Sequence, residues 1–438
     1  MMIANRYFFL RKPSGPMAAT LLALTFTAMG FPSNGQPAPA HMRIDLEQAI
    51  QLAVAHNHAL KAAANLIQQS EAEEITAAIR PNPVFTYDDL FIPLSSTPAG
   101  QPYSSALNNI TEFDVGLGYT FERGHKRQAR IDAAKDVTTV TRSQVKDNER
   151  GLVFNVAQQF VNVLLAKSTL DFAKQDLASF EQTVNLSDTR YKSGAMSEAD
   201  LLKIKLQLLQ FQTDVSAAQL SLAQSRASLR QLLGFESVPG DFEVSGELAY
   251  APVRGNQEDF QALALKQRPD LMAAEQGVTS AESQYSLAKA NGKRDLTTSL
   301  FYTHVSAINS ASFSMNIEVP IFDRNQGEIA RTHYALTQAQ ELKTAASETV
   351  LTDVANSFQG LITNDQIVQL YKSGYLQQAQ DSRDISEYAY QHGAASLLDF
   401  LDAERSYRAT QLAYRQSLAN FMLSVELLKE SVGTRNLP

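Results

Sequence analysis

The chain has 438 residues, with 46 Asp and Glu against 38 Lys and Arg, and it contains neither Cys nor Trp. A net charge of −8 argues against nucleic acid as a partner, because an acidic surface is repelled by the phosphate backbone. The lack of Cys excludes disulfides and thiol chemistry, and we expect no lipid anchor on a processed N-terminal Cys.

Residues 1–40 have the order of a cleaved secretory signal peptide. Three basic residues (Arg6, Arg11 and Lys12) precede an apolar run from Met17 to Met29, and small residues follow at 38–40. A transmembrane anchor is the alternative, although the run is shorter than the ~20 residues that a helical span requires. We therefore expect an exported protein.

Four segments are predicted to be β-strands, at about 82–91, 110–121, 295–305 and 311–321. From Phe113 to Phe121, and again from Phe313 to Ile321, odd-numbered residues are apolar and even-numbered ones are small or polar. The positions predicted to face lipid are Phe113, Val115, Leu117, Tyr119, Phe313, Met315, Ile317 and Val319. Segments of about ten residues match the strands of membrane barrels, but four strands are too few to close one. Several chains would have to share a barrel. A long exposed loop is predicted at 91–109.

Very long helices are predicted in the two stretches without proline, Pro102 to Pro239 and Pro320 to Pro438. From Ala129 to Tyr191 apolar residues recur at helical spacing, and a helix of that length would span roughly 95 Å. The following arm continues with a heptad pattern that begins at Leu208. These patterns predict helical hairpins with coiled-coil-like seams. Taken alone, such helices also suit a soluble helical bundle.

The hairpin tips, predicted near 191–199 and 390–398, repeat each other. Tyr191, Gly194, Ala195 and Asp200 recur 199 positions later as Tyr390, Gly393, Ala394 and Asp399. The chain is therefore predicted to contain a duplicated unit, at 41–239 and 257–434, which is too long for a solenoid repeat. Both glycines are expected to allow a helix C-cap or a positive φ.

These features together resemble the outer-membrane factor family, the TolC-like exit ducts of Gram-negative tripartite efflux pumps and type I secretion systems. The resemblance covers nearly the whole mature chain. Its carriers are the segment 43–60, AAIRPNP at 77–83, the paired YxxGA turns and VPIFDRNQG at 319–327. ERGHKRQAR at 122–130 resembles the branch that serves heavy-metal resistance pumps, whose pattern is close to GGKRxxR. His125 stands here in place of the second Gly.

The resemblance implies a mainly α fold with a small membrane β part. Four strands from each chain of a homotrimer would form a 12-stranded β-barrel in the outer membrane. The long helices would form an α-barrel in the periplasm, and residues 240–256 would supply part of an equatorial belt.

The function implied is that of a passive outer-membrane exit duct in a tripartite, RND-type efflux system. Its partners would be a periplasmic adaptor (a membrane fusion protein), an inner-membrane transporter and outer-membrane lipid. Metal cations are one candidate cargo, and drugs or the proteins of type I secretion are the others. A soluble periplasmic coiled-coil scaffold or adaptor is the alternative class.

Asp399 and Asp402 are predicted to lie on one face of the helix that follows the second tip. The family has an Asp pair at the matching positions, where it constricts the duct and favours cations, and a trimer would bring six carboxylates together. Tyr390 matches a residue of the network that holds the tip shut. Lys203 replaces the second Asp in the first copy, and Ala395 replaces a basic residue that some members carry. The alternative is a solvated pair of surface acids.

The tips are also expected to contact the helical hairpin of the adaptor. The residues concerned are Tyr191, Gly194, Ala195, Gly393 and Ala394. The alternative is that packing alone explains them.

No catalytic motif is found in the sequence. His56 and His58 are close together, but an HxH pair without a nearby third ligand is more often solvated than metal-bound. Gly116 and Gly118 lack the third glycine of a dinucleotide-binding loop and lie in a strand pattern. We predict no catalysis, no cofactor and no bound metal.

Overall fold

The computed structural model describes residues 42–90, 102, 105, 112–305 and 308–437. The predicted signal peptide and nearly all of the predicted loop at 91–109 lie outside these residues. The strands are β1 (Arg43–Ile44), β2 (Val84–Leu90), β3 (Glu112–Phe121), β4 (Glu243–Val244), β5 (Leu296–Val305) and β6 (Ile308–Ile317). The helices are α1 (Leu46–His56), α2 (His58–Ala78), α3 (Lys126–Lys192), α4 (Glu198–Leu233), α5 (Gln257–Gln267), α6 (Pro269–Asn291), α7 (Gln326–Leu370), α8 (Leu376–Gln391) and α9 (Leu397–Val432).

Four strands form one antiparallel sheet in the order β2-β3-β5-β6, and β1 pairs with β4 in a separate parallel pair. The sheet joins the two halves of the chain, because β3 of the first half pairs with β5 of the second along their whole lengths. Among the described residues, β2 and β6 each have one edge without a partner strand.

The last strand ends earlier than predicted. Ile317 lies opposite Leu296, the first residue of β5, so the residues beyond it have no opposing strand. Pro320 also lacks the N–H that a ladder requires. Val319 therefore lies outside β6, and its predicted place on a lipid-facing strand is wrong, although its side chain is exposed.

The long helices differ between the two halves. α3 runs for 67 residues without a break. In the second half a π-helical segment, Tyr371–Tyr375, separates α7 from α8, and Gly374 within it has a φ of 129°. Within the described part of the chain, no helix combines the length and the apolar character needed to cross a membrane.

Equivalent cores lie where the shorter helices cross the hairpins. In the first half α1 packs on α3 and the end of α4, and in the second α5 packs on α7 and α9. Asn57 donates to the carbonyl of Leu232 at 3.0 Å, and Arg268, which is buried, donates to the carbonyl of Ser431 at 3.3 Å. Asn57 and Arg268 differ in size, but each donates to a carbonyl at the C-terminal end of the second helix of its hairpin, α4 or α9.

Candidate functional site at the hairpin tips

The turns between α3 and α4 and between α8 and α9 share one backbone geometry. Gly194 and Gly393 have φ values of 77° and 76°. In each turn the following N–H, of Ala195 or Ala394, donates to a carbonyl five residues earlier at 2.8 Å. A Cβ on either glycine would meet nothing within 4 Å, so backbone conformation and not space requires glycine. The predicted positive φ is confirmed.

Serine caps the helix that follows each turn. The N–H of Asp200 donates to Ser197 Oγ at 3.1 Å, and the N–H of Asp399 donates to Ser396 Oγ at 3.2 Å. Each hydroxyl donates back to the same carboxylate, at 2.8 and 2.7 Å. The serine hydroxyls hold the pKa of both carboxyls below its usual range. Asp399 therefore has a structural role in the first turn of α9.

The residue three positions after each of these aspartates differs between the two tips. In the first, Lys203 Nζ lies 3.1 Å from Asp200 Oδ1 and neutralises it. In the second, Asp402 is exposed and has no hydrogen-bond or ion-pair partner among the described residues. The second tip therefore presents two carboxylates one turn apart, whereas the first presents an ion pair.

Tyr390 is buried in an aromatic stack within the chain. Its ring is nearly parallel to that of Phe400, with centroids 5.3 Å apart, and Phe180 and Phe211 continue the stack. Its hydroxyl lies 3.3 Å from Ser187 Oγ on α3. Tyr390 thus ties the second hairpin to the first, which fits the type of contact predicted for it.

Arg190, which the sequence analysis missed, strengthens this tie. From the end of α3 it donates to the carbonyl of Tyr390 at 2.9 Å and to that of Gln391, at the end of α8. Two C-terminal carbonyls of one helix are thereby satisfied by a cation from another. A basic residue is absent at Ala395, but the other hairpin supplies one.

A buried charge cluster lies further along the hairpins, and sequence analysis missed it as well. Arg408 on α9 pairs with Asp176 on α3 at 2.6 Å and with Asp214 on α4 at 2.5 Å. Asp176 is buried, and so is Glu404, which lies one turn before Arg408 on α9. Charges at these depths are retained only when they are paired. One arginine of the second hairpin therefore holds both helices of the first.

The pKa of each of the two buried carboxyls is raised above its ordinary value. Burial and the neighbouring Asp176 raise the pKa of Glu404 to about 8, although Arg383 and Arg408 oppose the shift. Burial likewise raises the pKa of Asp176, against the attraction of Arg408. A shared proton between the two carboxyls relieves their repulsion.

The residues predicted to contact an adaptor are all exposed at the ends of the hairpins. They are Tyr191, Gly194, Ala195, Gly393 and Ala394. No other part of the described chain covers them, so they are accessible to a partner.

At the opposite end of the helices, the sheet presents an apolar row. Phe85, Leu117, Leu300 and Phe313 lie side by side across the four strands and are 70%, 57%, 60% and 64% exposed. Of the other residues predicted to face lipid, Met315 and Ile317 are exposed, and Phe113, Val115 and Tyr119 are half-buried. The neighbouring row on the other face is small or polar apart from Phe301, which lies against Gly116. One face of the sheet is thus apolar and open.

In the described part of the chain, no three His, Asp or Glu side chains are grouped so that they could hold a metal ion. His58 instead pairs with Glu236, with Nε2 and Oε1 2.9 Å apart.

A duplicated helical hairpin with a short four-stranded sheet at one end and glycine turns at the other is the architecture of an outer-membrane efflux channel. The chain belongs to the outer membrane efflux protein family, whose sequence model matches residues 49–235 and 262–434. It is therefore an outer-membrane efflux protein, and the predicted family and location are confirmed. This membership favours the duct over the soluble scaffold.

Curated relatives include proteins named for metal cations and one named for pyoverdine export. The chain is 25% identical over 380 residues to the cobalt-zinc-cadmium resistance protein CzcC of Cupriavidus metallidurans, covering 86% of this chain and 87% of the relative. It is 28% identical over 319 residues to the cation efflux system protein CusC of Escherichia coli K12, covering 68% of each. It is 24% identical over 414 residues to the pyoverdine export outer membrane protein OpmQ of Pseudomonas putida, covering 89% and 86%.

Solved structures share the fold. A crystal structure of CusC superposes with a TM-score of 0.74 at 20% identity, over 92% of this chain and 96% of that one. The outer membrane protein VceC of Vibrio cholerae gives a TM-score of 0.72 at 18% identity, over 89% and 96%. The predicted fold class, a TolC-like mainly helical duct with a small β part, is confirmed.

Proposed function

We propose that three copies of the chain form a passive exit duct that hands metal cations from a periplasmic adaptor and an inner-membrane pump to the exterior. The N-terminal residues 1–40 would act as the export signal and be removed. The observation that carries the proposal is the open sheet. In the described part of the chain β2 and β6 each leave a free edge, and the row from Phe85 to Phe313 exposes four large apolar side chains.

Free strand edges and an exposed apolar face are costly in water. Pairing β6 of one chain with β2 of the next would satisfy the edges, and three chains would supply twelve strands. Lipid would then cover the apolar row. The long hairpins would continue the ring away from the membrane, with the tips free to meet the adaptor.

Membrane insertion is tested by arginine substitution on the two faces of the sheet. Phe313→Arg with Leu117→Arg places charges in the apolar row, at an expected cost of ~2–4 kcal/mol for each charge at mid-bilayer. We expect trimers to disappear from the outer-membrane fraction. Ser312→Arg with Asn316→Arg is the matched control, because these exposed residues of β6 lie on the opposite face of the sheet, and trimers should persist. Normal assembly of the first variant would refute lipid contact at this row.

The cargo proposal depends on the second tip. Asp402 is exposed and unpaired among the described residues, and Asp399 lies one turn away. In a trimer, six such carboxylates around an axis would attract cations and disfavour anions. The names of CzcC and CusC agree with a cation, whereas the name of OpmQ keeps pyoverdine as the second candidate.

Single-channel conductance in planar bilayers, measured with and without divalent cations, tests the cargo proposal. We expect cation selectivity and block by divalents in the wild type, and loss of the block in Asp402→Lys, which copies the first tip. Glu198→Gln, which removes an exposed carboxylate from the first tip, should keep the block. Asp399 is left intact because it caps α9. A block that survives in Asp402→Lys would contradict the proposed gate.

A further inference from the structure

Charge is distributed unevenly along the sheet and its connections. The segments that join the strands to the helices, at 79–83, 122–131, 288–295 and 318–331, contain ten Lys and Arg against five Asp and Glu. The strands themselves contain no Lys or Arg, and their four acidic residues, Asp88, Asp89, Glu112 and Asp114, cluster at the far end of β2 and β3. A chain with a net charge of −8 thus has a basic zone at the helix-side end of its sheet.

Some cations of this zone serve the fold. Lys126 Nζ lies 2.8 Å from Asp295 Oδ2, and Arg127 Nε donates to the carbonyl of Ala78 at 2.6 Å. Arg130 pairs with Glu122. These side chains are half-buried and have partners, so they are not available to a ligand.

We call four further exposed cations, Arg80, Arg123, Lys293 and Arg324, the basic collar. The side chains of the first three have no hydrogen-bond or ion-pair partner among the described residues. Arg324 Nε donates only to the carbonyl of Pro320, at 3.1 Å. Arg80, Arg123 and Lys293 lie within four positions of a strand of the sheet, and Arg324 follows the end of β6 by seven, all on the helix side of the sheet.

The same segments expose large apolar side chains. Ile79 and Ile321 are exposed, and Phe322 is 90% exposed. Apolar side chains beside lysine and arginine are typical of a protein surface at a membrane–water interface. There the apolar side chains enter the acyl boundary, and the lysine and arginine side chains contact phosphate. Phe121 and Ile317, exposed at the helix-side ends of β3 and β6, extend the face of the apolar row toward the collar.

We propose that the basic collar binds the anionic headgroups of phospholipids in the leaflet that borders the helix-side ends of the strands. The inference rests on the proposed insertion of the sheet into the membrane. Either anion would satisfy the charge of the collar, and the exposed apolar side chains beside it favour lipid over a carboxylate of a neighbouring chain. Anionic lipid would then fix the depth of the duct in the membrane, since the strands offer no cation of their own.

The test measures the lipids at the protein surface. Trimers are reconstituted in mixed vesicles of phosphatidylcholine and phosphatidylglycerol, and spin-labelled lipid of each type reports its relative association by electron paramagnetic resonance. We expect the wild type to prefer phosphatidylglycerol at least threefold at low salt, and the preference to shrink as salt screens the charges. Replacing all four collar residues by Gln should bring the ratio to about one.

Two matched variants control for net charge and for folding. Gln at Lys174, Arg254, Lys266 and Arg405 removes four exposed cations that lie outside the sheet and its connections, and it should leave the preference unchanged. Exchanging Lys for Arg and Arg for Lys within the collar should retain it. A preference that survives in the collar Gln variant, or one insensitive to salt in the wild type, overturns the proposal.

Vesicle flotation separates this proposal from the one on which it rests. Wild-type protein that does not float with the vesicles overturns the proposed membrane insertion, and the collar with it. Protein that floats but associates equally with the two lipids overturns the collar alone.

Discussion

In the first hairpin tip Ser197 caps α4 and Asp200 pairs with Lys203, whereas in the second Ser396 caps α9 and Asp402 stands in the place of that lysine. The caps are alike because both helices need partners for their first N–H groups. Lys203 and Asp402, each one turn after the capping serine's partner, take no part in the cap, and here the two copies differ. Duplication has thus preserved what the turn requires, and the charge that differs is the better candidate for function.

The long first helices of the two hairpins differ as well. α3 is continuous, but its counterpart in the second half is interrupted at Gly374. Arg408 then ties the second hairpin to both helices of the first. The second hairpin therefore carries a break in its helix, which the first lacks, and an arginine that binds both helices of the first. Four substitutions test this asymmetry.

The largest effect is expected from Arg408→Met, which removes the tie. Asp176 would then be buried without its partner, and breaking a buried ion pair from one side costs about 3–5 kcal/mol. Hydrogen exchange of the amides in the turn at 392–396 should show easier opening by a comparable free energy. Single channels of the same variant should open more often.

Arg405→Met is the control for this substitution, because Arg405 is exposed on the same helix and has no partner in the described part of the chain. Adding Asp176→Asn to Arg408→Met should recover part of the loss. Exchange rates in Arg408→Met that match those in the control would mean that the tie does not hold the hairpins together.

Sequence patterns predicted the elements better than the contacts between them. Alternation in β3 identified its apolar face, but the prediction for Val319 failed because a period of two continues past Pro320 although the partner strand does not. The cap at Ser396 has a local signature, Ser-x-x-Asp, and could have been predicted. Arg408 and Glu404 could not, because their burial depends on the register between two hairpins that are far apart in sequence.

The second prediction concerns pH. Because the pKa of Glu404 in the folded chain, about 8, lies above its ordinary value of 4.5, the native state binds more protons than the unfolded one between these limits. Its contribution to stability is fully present below pH 4.5 and is lost as the pH rises through about 8. One titrating carboxyl changes the free energy of opening by up to ~1.4 kcal/mol per pH unit.

Hydrogen exchange between pH 6 and 9, corrected for intrinsic rates, checks this expectation. Opening near Glu404 should become easier as the pH rises in the wild type, and the dependence should be flatter in Glu404→Gln. Glu181→Gln, an exposed acid on α3, should behave as the wild type does. An unchanged slope in Glu404→Gln would assign the pH dependence to other groups.

The third prediction compares one glycine from each half. Gly374→Ala puts a Cβ on a residue with a φ of 129°, at a cost of about 1–3 kcal/mol. Gly151→Ala lies inside the unbroken α3, where a new Cβ meets nothing within 4 Å, and should stabilise by roughly 0.5–1 kcal/mol. Thermal unfolding in detergent should therefore move in opposite directions. Shifts of the same sign would mean that the break at Gly374 is not a fixed feature of the fold.

The smallest effect is expected from the tyrosines at the tips. Tyr390→Phe keeps the stacked ring but removes the hydroxyl that meets Ser187, and the loss of one such hydrogen bond costs about 0.5–1.5 kcal/mol. Tyr191 occupies the same place in the first copy but is exposed, so Tyr191→Phe should stay within about 0.5 kcal/mol of the wild type. Hydrogen exchange of the amides in the two turns measures the free energy of opening in both variants. Equal effects would show that the repeated tyrosines act alike, and that the bond to Ser187 does not set the second hairpin apart.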